Sequence, residues 1–523
     1  MIDTVNPFEQ HVGARLLDFF GEATPWQRSL WNVGLCLTLR EVLEASEAVR
    51  VGALSEPTLA SLANTAQVVA GVDPGSGTVQ ERQTVQAALR AKPRFGGLDY
   101  STVALHEERC RQTYLTHWAT AITTSQRPGP ETTARAIASH LLDLGYSAGF
   151  LHRWWKYHLD HEPGIRPLAD IVTEAQGLAV ARPRPFEVMV PLASAIRWRS
   201  GPPPPEWRDP QYVSKWLRQH RFDISGVRQD GGLLFTVDAL DAGAAVIRVC
   251  EVLDQLKARM AVGTRRALTL VGQVWVGGET SRQPIDRITR GVWVEALDRE
   301  NQLYDARSTG GIHAAIELLS HLQTSSPGAA VAGGWAAIEA LLSEPNDRAG
   351  AAERLAMLVA CSFPRAELTA LSYEFERRDS SLAAALASLR ENRERCAMVA
   401  DALGAGRAEL ALLSRSEKAA VMRMTKLVAD AHRVLSDVQE YAAIALRRLY
   451  RQRNLVLHWG KTDGVALRAS LRTTAPLVGA GIDRIIHAHY VDRLTPLQLV
   501  ARAKMGLATV GTSKGPGCTD ILG

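Results

Sequence analysis

Arg453, Asn454 and His458 are the residues whose types and spacing best suit chemistry on a phosphate group. They lie in the segment LRRLYRQRNLVLHWG, at positions 446–460. An imidazole titrates near neutral pH and can therefore transfer protons. A guanidinium stays protonated and binds phosphate oxygens through two parallel hydrogen bonds. Asn454 can both donate and accept, so it could position the phosphate or hold one tautomer of the imidazole.

The spacing from an arginine to a histidine is not distinctive by itself. The same loose rule is satisfied by four other pairs, namely Arg111 with His117, Arg153 with His158, Arg307 with His313 and Arg484 with His489. The segment at 446–460 differs from these pairs in its context. That context consists of the adjacent asparagine, the apolar LVL spacer, Tyr450 and Arg451 before the motif, and Trp459 and Gly460 after it.

This segment resembles the signature of the HEPN superfamily, in which an arginine and a polar residue precede a histidine near the end of a compact helical domain. Four residues separate Arg453 from His458, within the spacing of that signature. Upstream, GGWAAIEALLSEPNDRAGAAERLAMLVACSF is similar to the opening helices of HEPN domains in prokaryotic defence proteins. The resemblance covers about residues 313–495 and implies a helical bundle that pairs its motifs across a homodimer. It also suggests Glu339, on the first helix, as a supporting acid, although a plain surface ion pair would explain Glu339 equally well.

The residue types suit RNA cleavage without a metal ion or cofactor. A base takes the proton of the 2′-hydroxyl, the adjacent phosphate is attacked in line, and a cation holds the growing negative charge. His458 suits the first task and Arg453 suits the last. The products would carry a 2′,3′-cyclic phosphate and a 5′-hydroxyl.

The resemblance implies an endoribonuclease of phage defence or toxin-like growth arrest, cutting host or phage RNA, with tRNA as one candidate. It also implies a phage-derived or protein trigger. An alternative remains open, in which the HEPN module is not catalytic and binds RNA or a partner protein as a scaffold. A purely structural interpretation also remains open, in which Arg453 belongs to a solvated basic helix face and His458 is a hydrogen-bonded core or cap residue.

An unbroken helix makes convergence of the two side chains difficult. Five residues turn an ideal helix by about 500°, which leaves Arg453 and His458 about 140° apart. We therefore expect either a bend near Asn454, a residue type that often ends helices, or the help of a second subunit.

Charge is concentrated around the motif. The whole chain has 60 basic and 55 acidic residues, a net charge of +5 that is too small to indicate a polyanionic partner. Between positions 444 and 472, however, seven basic residues face one acidic residue, a local excess of +6. We expect this excess to hold RNA phosphates, with four side chains as the closest contacts: Arg447, Arg448, Arg451 and Lys461.

A second stretch, HRWWKYHLDHE at 152–162, mixes aromatic and basic residues in a way that could stack bases. Anchoring of a helical bundle by its two tryptophans is the simpler interpretation. His158, His161 and Glu162 do not have the spacing of a zincin site, so no metal site is predicted. The glycine-rich pieces GVDPGSGT and GGETSRQP lack the ending of a phosphate-binding loop.

The pattern of apolar residues predicts a mainly α-helical chain with three parts. Residues 1–165 show three- and four-residue spacing and predict a helical bundle. Residues 184–300 contain short runs of β-branched and aromatic residues, including PFEVMVPL, GLLFTVDA and RGVWVEAL, and predict a small α+β domain. No chemical constellation is found there, so we expect it to sense or regulate. The HEPN-like bundle follows at 313–495, and 496–523 reads as a loosely ordered tail.

Composition indicates a cytoplasmic protein. The six cysteines are scattered without a paired motif, as expected of reduced thiols. No secretory leader and no uncharged apolar stretch of about 18 residues is recognisable, so we expect no membrane association.

Overall fold

The computed structural model describes most of the chain. The described residues are 6–160, 166–196, 201–223, 226–264, 267–285, 290–305, 310–345, 347, 349–378, 381–408 and 410–523. Within them the chain is mainly helical, with twenty α-helices and a small antiparallel sheet. The predicted predominance of helix is therefore confirmed.

The N-terminal part is a bundle of eight helices, which we call the N-terminal bundle. Its core contains the large side chains Phe20, Trp118 and Trp155, which are almost fully buried. The bundle extends past the predicted limit of residue 165, because the last helix packs Ile171 and Val172 into the same core. The helices are α1 Pro7–Phe19, α2 Leu35–Arg50, α3 Glu56–Val72, α4 Val79–Arg90, α5 Leu98–Ile122, α6 Pro130–Asp143, α7 Ala148–Asp160 and α8 Leu168–Ala179.

The central part is the predicted small α+β domain. Its five strands form an antiparallel sheet in the order β2-β3-β1-β4-β5. Alternate residues of β1 point to opposite faces. Val188 therefore packs with the α10 side of the sheet and Met189 with the α9 side, so both faces are covered. The elements are β1 Arg184–Pro191, β2 Trp207–Arg208, α9 Pro210–Gln219, β3 Gly232–Ala239, α10 Ala242–Thr264, β4 Gln273–Val276 and β5 Gln283–Pro284.

The run RGVWVEAL, expected to be a strand, forms none within the described residues 290–305. It ends in the short helix α11, Ala296–Arg299. Its backbone lies against a later helix instead, since a Cβ on Gly479 would come within 2.7 Å of the Trp293 nitrogen. The Ala296 amide also donates to Asp483 at 2.7 Å. Contact with a helix thus replaces strand pairing and leaves the Trp293 side chain 75% exposed.

The C-terminal part is a second bundle, which we call the C-terminal bundle. Its helices are α12 Gly311–Thr324, α13 Pro327–Leu342, α14 Ala351–Arg377, α15 Ala383–Ser388, α16 Asn392–Gly404, α17 Arg415–Ala429, α18 Ala431–Trp459, α19 Leu467–Tyr490 and α20 Pro496–Thr509. Among the described residues, α14 is the one helix long and apolar enough to span a membrane. In the fold, 67% of its apolar window is buried, so it packs as a core helix of the C-terminal bundle.

Residues 496–523, expected to be a loose tail, are packed onto the C-terminal bundle. The helix α20 begins with a capping box at Thr495 and buries Leu499 and Ala503. Beyond it, Ile521 and Leu522 are only 4% and 5% exposed. The glycine-rich composition of 511–523 therefore reflects turns that return the chain to the core.

The two bundles share a broad interface. Trp31 of the N-terminal segment belongs to the core of the C-terminal bundle. In the opposite direction, Leu455 of α18 belongs to the core of the N-terminal bundle, with Trp459 packed beside it. The motif predicted from the sequence therefore lies on a helix that contacts both bundles.

Candidate active site on helix α18

The motif helix α18 is continuous through Asn454. It begins after Asp430, whose side chain accepts the Arg433 amide at 3.2 Å, and runs for 29 residues. It ends just after His458, where Gly460 adopts a φ of +68°. The helix is not interrupted near Asn454, where the sequence predicts a bend.

Arg453 and His458 nevertheless meet within one chain. The Nη1 atom of Arg453 lies 3.0 Å from Asn454 Oδ1 and 3.4 Å from His458 Nε2. The arginine side chain is long enough to reach along the helix surface, so the contact requires neither a bend nor a second subunit. His458 is exposed, whereas Arg453 and Asn454 are half-buried.

The contact from Arg453 to the imidazole indicates which form of the ring is present. A guanidinium can only donate, so His458 Nε2 accepts from Arg453 only when the ring is neutral and carries its proton on Nδ1. In that form Nε2 has the lone pair that a general base needs. The arrangement thus presents a base and a cation side by side at the surface.

The four predicted phosphate contacts are engaged in ion pairs. Arg447 bonds Glu353 at 2.6 Å and Glu440 at 3.3 Å. Arg448 and Arg451 are buried. In this arrangement they cannot contact an RNA phosphate, because both are bound to the carboxylate of Glu41, at 2.8 and 3.2 Å.

Lys461 is similarly occupied. Its Nζ atom lies 3.6 Å from Glu44 and 4.6 Å from the centre of the Trp459 ring. Two further cations of the same segment are paired as well, Arg468 with Glu251 and Arg472 with Asp143. The local charge excess of the sequence is therefore not an exposed basic patch, because acids from other parts of the fold neutralise it.

Arg453 is the exception. Of the seven cations between positions 444 and 472, it alone lacks an acidic partner among the residues that the structure describes. Its only polar contacts there are with Asn454 and His458. A guanidinium without a carboxylate keeps its hydrogen-bond donors available for an anion such as phosphate.

Glu41 and Glu44, the two acids of α2 that bind cations in and just after α18, differ in the direction of their pKa shifts. Burial acts to raise the pKa of Glu41, but Arg448 and Arg451 outweigh burial and hold that pKa below its usual range. At Glu44 burial dominates and raises the pKa, despite the amide of Val465 and the charge of Lys461. Glu41 is thus a firmly ionised centre of the interface.

Glu339 lies away from the motif. Helix α13 runs antiparallel to α18, because a Cβ on Gly328 would lie 3.5 Å from Val456 and the Trp335 ring packs on Tyr450 at 4.8 Å. Glu339 follows one turn beyond Trp335, farther still from Arg453. It is half-buried, and this position does not bring its carboxylate to the Arg453–His458 pair.

The stretch at 152–162 serves the N-terminal bundle. Trp155 is fully buried in its core, and His158 Nε2 lies 3.4 Å from Glu174. His161 and Glu162 lie outside the described residues. Within the described residues, no group of three or more histidine, cysteine or acidic side chains is arranged to hold a metal ion.

Sequence reasoning missed Glu41, Glu44 and Asp143. These acids of the N-terminal bundle bind cations between positions 444 and 472. A signal for two of them was available. Glu41 and Glu44 are three residues apart in LCLTLREVLEASEAVR, on the buried side of an amphipathic helix. A buried acid needs a cationic partner, so such a pair predicts ion pairs across an interface but not with which residues.

Comparison of the chain with protein-family models, curated proteins and solved structures finds no match. The geometry of α18 and its surroundings therefore carries the functional argument.

Proposed function

We propose that this chain is a metal-independent endoribonuclease of the HEPN type, with Arg453, Asn454 and His458 as its active-site residues. One observation carries the proposal. Arg453 is the one cation of its segment without an acidic partner among the described residues, and it lies 3.4 Å from the imidazole of His458 at the surface. If these basic side chains served only to solvate a structural helix, there would be no reason for Arg453 alone to lack an acidic partner.

The proposed reaction starts from neutral His458. Its Nε2 atom takes the proton of a 2′-hydroxyl, and the 2′-oxygen attacks the adjacent phosphorus. The bond from phosphorus to the 5′-oxygen breaks as the new bond forms, and the leaving oxygen takes a proton from an imidazolium or from water. Arg453 holds the negative charge that grows on the phosphate oxygens. The products are a 2′,3′-cyclic phosphate and a 5′-hydroxyl.

Asn454 positions the cation in this scheme. Its Oδ1 atom accepts from Arg453 Nη1 at 3.0 Å, which fixes one nitrogen and leaves the others of the guanidinium free. When a phosphate enters, the long contact to His458 is the weaker of the two and is released. The imidazole then becomes free to accept the hydroxyl proton.

The biological setting proposed here rests on the resemblance of the motif to HEPN proteins of prokaryotic defence. We place the protein in the cytoplasm as a homodimer that arrests growth or aborts infection by cutting RNA, tRNA being one candidate. A second copy would bring a second His458 close to the first, so that one imidazole acts as base and the other as acid. A phage-derived or protein trigger would then act through the N-terminal bundle or the central domain.

A second candidate function is a non-catalytic scaffold that binds a partner protein. The observation that favours it is the neutralisation of six cations around the motif, because a surface without excess positive charge binds polyanions weakly. Under this candidate, substitution of Arg453 or His458 alters partner binding and leaves RNA intact.

Cleavage of total tRNA in EDTA tests the proposal. The wild type is compared with Arg453→Ala and His458→Ala, and with His432→Ala and Arg433→Ala as matched controls. His432 and Arg433 are exposed at the opposite end of the same helix. We expect cleavage by the wild type and both controls, and a loss of at least about 100-fold in the two motif variants. Cleavage that survives both motif substitutions would exclude this site, and an inactive wild type would favour the scaffold or an absent trigger.

A further inference from the structure

The side of α18 that faces the N-terminal bundle carries a buried ion triad. Glu41 is 3% exposed and bonds Arg448 and Arg451, which are 2% and 8% exposed. The two arginines are three residues apart and therefore lie on one face of the helix. Leu455, one turn farther on, continues this face into the core of the N-terminal bundle.

This triad restricts the rotation of α18 about its axis. A single carboxylate accepts from two guanidinium groups at different levels of the helix, so a turn of α18 would lengthen at least one of the two bonds. Lys461 and Glu44 add a contact just beyond the end of the helix. Because α18 is continuous, any rotation at Arg448 and Arg451 is carried to Arg453 and His458.

A second triad crosses the same interface and joins α14 and α17 to the N-terminal part of the chain. Glu367 of α14 is fully buried and bonds Arg28 at 2.6 Å and Arg423 at 2.8 Å. Arg28 belongs to the N-terminal part of the chain and Arg423 to α17. Each triad therefore centres on a buried carboxylate that binds two arginines, but Arg28 is half-buried and Arg423 also bonds Glu131 at 3.3 Å.

We propose that Glu41 is a positioning residue, which sets the direction of the Arg453–His458 pair by holding the opposite face of α18. The inference rests on the proposed function for its catalytic consequence. Its structural part, that the N-terminal bundle orients the imidazole of His458, stands independently of that function. A signal received by the N-terminal bundle would then reach the active site through α2, the helix that carries Glu41.

The test compares Glu41→Gln with Glu367→Gln in the full chain. Glu41→Gln leaves two buried arginines without a carboxylate, whereas after Glu367→Gln the Arg423 side chain keeps Glu131 at 3.3 Å. We therefore expect both variants to lose thermal stability and Glu41→Gln to lose more. Glu41→Asp, which keeps the charge, serves as a milder variant if Glu41→Gln does not fold. The first readout is the NMR signal of the His458 ring in protein labelled at histidine, assigned by its loss in His458→Gln.

We expect Glu41→Gln to shift the His458 ring signal and Glu367→Gln to leave it in place. The second readout is tRNA cleavage, where Glu41→Gln should lower kcat about tenfold to a hundredfold with little change in KM. Glu41→Asp should recover part of that loss. An unmoved ring signal in Glu41→Gln, or an equal shift in Glu367→Gln, would overturn the inference. A wild type without cleavage would count against the proposed function alone, since the ring signal still decides the positioning role.

Discussion

At the scale of single residues, the number of cationic partners decides how a buried carboxylate behaves. Two arginines flank Glu367, as they do Glu41, and they outweigh burial and lower its pKa. Asp73, in the N-terminal bundle, is buried among neutral donors instead. Its oxygens accept from the Tyr114 hydroxyl at 2.7 Å and from Trp118 Nε1 at 2.9 Å. Burial therefore prevails at Asp73 and raises its pKa from 3.8 to about 6.

Asp73 makes a pH-dependent contribution to stability whose sign follows from this shift. The folded state binds the proton more tightly than the unfolded chain does. The contribution of Asp73 is therefore largest below pH 4, and it is lost as the pH rises through about 6.

We predict that Asp73→Asn removes this dependence. An asparagine keeps one acceptor oxygen and has no proton to lose. The free energy of unfolding of the wild type, measured relative to Asp73→Asn, should fall by about 2–3 kcal/mol between pH 4 and pH 7.5. Urea unfolding at the two pH values measures it. Asp170→Asn, an exposed carboxylate on α8, is the control. An equal difference at both pH values would contradict the prediction.

Residue types alone singled out the candidate motif, but they could not show what the neighbouring cations bind. The sequence predicts Arg448 and Arg451 as phosphate contacts because it shows their charge but not their partner. That partner, Glu41, lies 407 and 410 positions earlier in the chain. Only the fold brings them together, and only the fold shows that Arg453 is spared.

At the scale of elements, the end of α18 determines how firmly His458 is held. Gly460 stops the helix two residues after His458, with its amide donating to Val456 at 3.1 Å. Its φ of +68° is strained for any residue with a side chain, whereas a Cβ there would meet nothing within 4 Å. An alanine at this position therefore acts through the backbone alone.

We predict that Gly460→Ala destabilises the protein by about 1 kcal/mol and also lowers tRNA cleavage, because the last turn around His458 frays. Gly406, after α16, has a φ of +66° and equally open space. Gly406→Ala should have the same cost in stability and no effect on cleavage. Urea unfolding and the cleavage assay together measure this. Equal activity of the two variants would show that the cap does not support the site.

Periodicity predicted most elements, and its failures have physical causes. The three-four repeat identified the helices, and the runs PFEVMVPL and GLLFTVDA became β1 and β3. RGVWVEAL has the composition of a strand but meets the backbone of α19 at Gly479. The final residues have the composition of a loose tail because 511–517 is rich in turn-forming residues. The two apolar residues that pack into the core, Ile521 and Leu522, come only after these turns. In both cases a contact distant in sequence overrides local composition.

At the scale of the whole molecule, the two bundles are interlocked. Each contributes an apolar residue to the core of the other, Trp31 in one direction and Leu455 in the other. The Glu41 and Glu367 triads cross the same interface, and all their members except the half-buried Arg28 are buried. Salt screens buried pairs far less than exposed ones, and apolar contacts do not weaken in salt. The interface should therefore survive high ionic strength even without a covalent connection.

We predict that the chain can be divided between residues 181 and 182, which are exposed and lie outside helices and strands, without separating the bundles. Fragments 1–181 and 182–523, produced together with a tag on the first, should copurify in 1 M NaCl. Glu41→Arg should abolish copurification, because it places a third cation beside Arg448 and Arg451. Glu47→Arg is the control, since the ion pair of Glu47 is with Arg50 of its own helix. Fragments that separate in salt would show that the bundles are joined mainly by the chain, and the N-terminal bundle could then not orient α18.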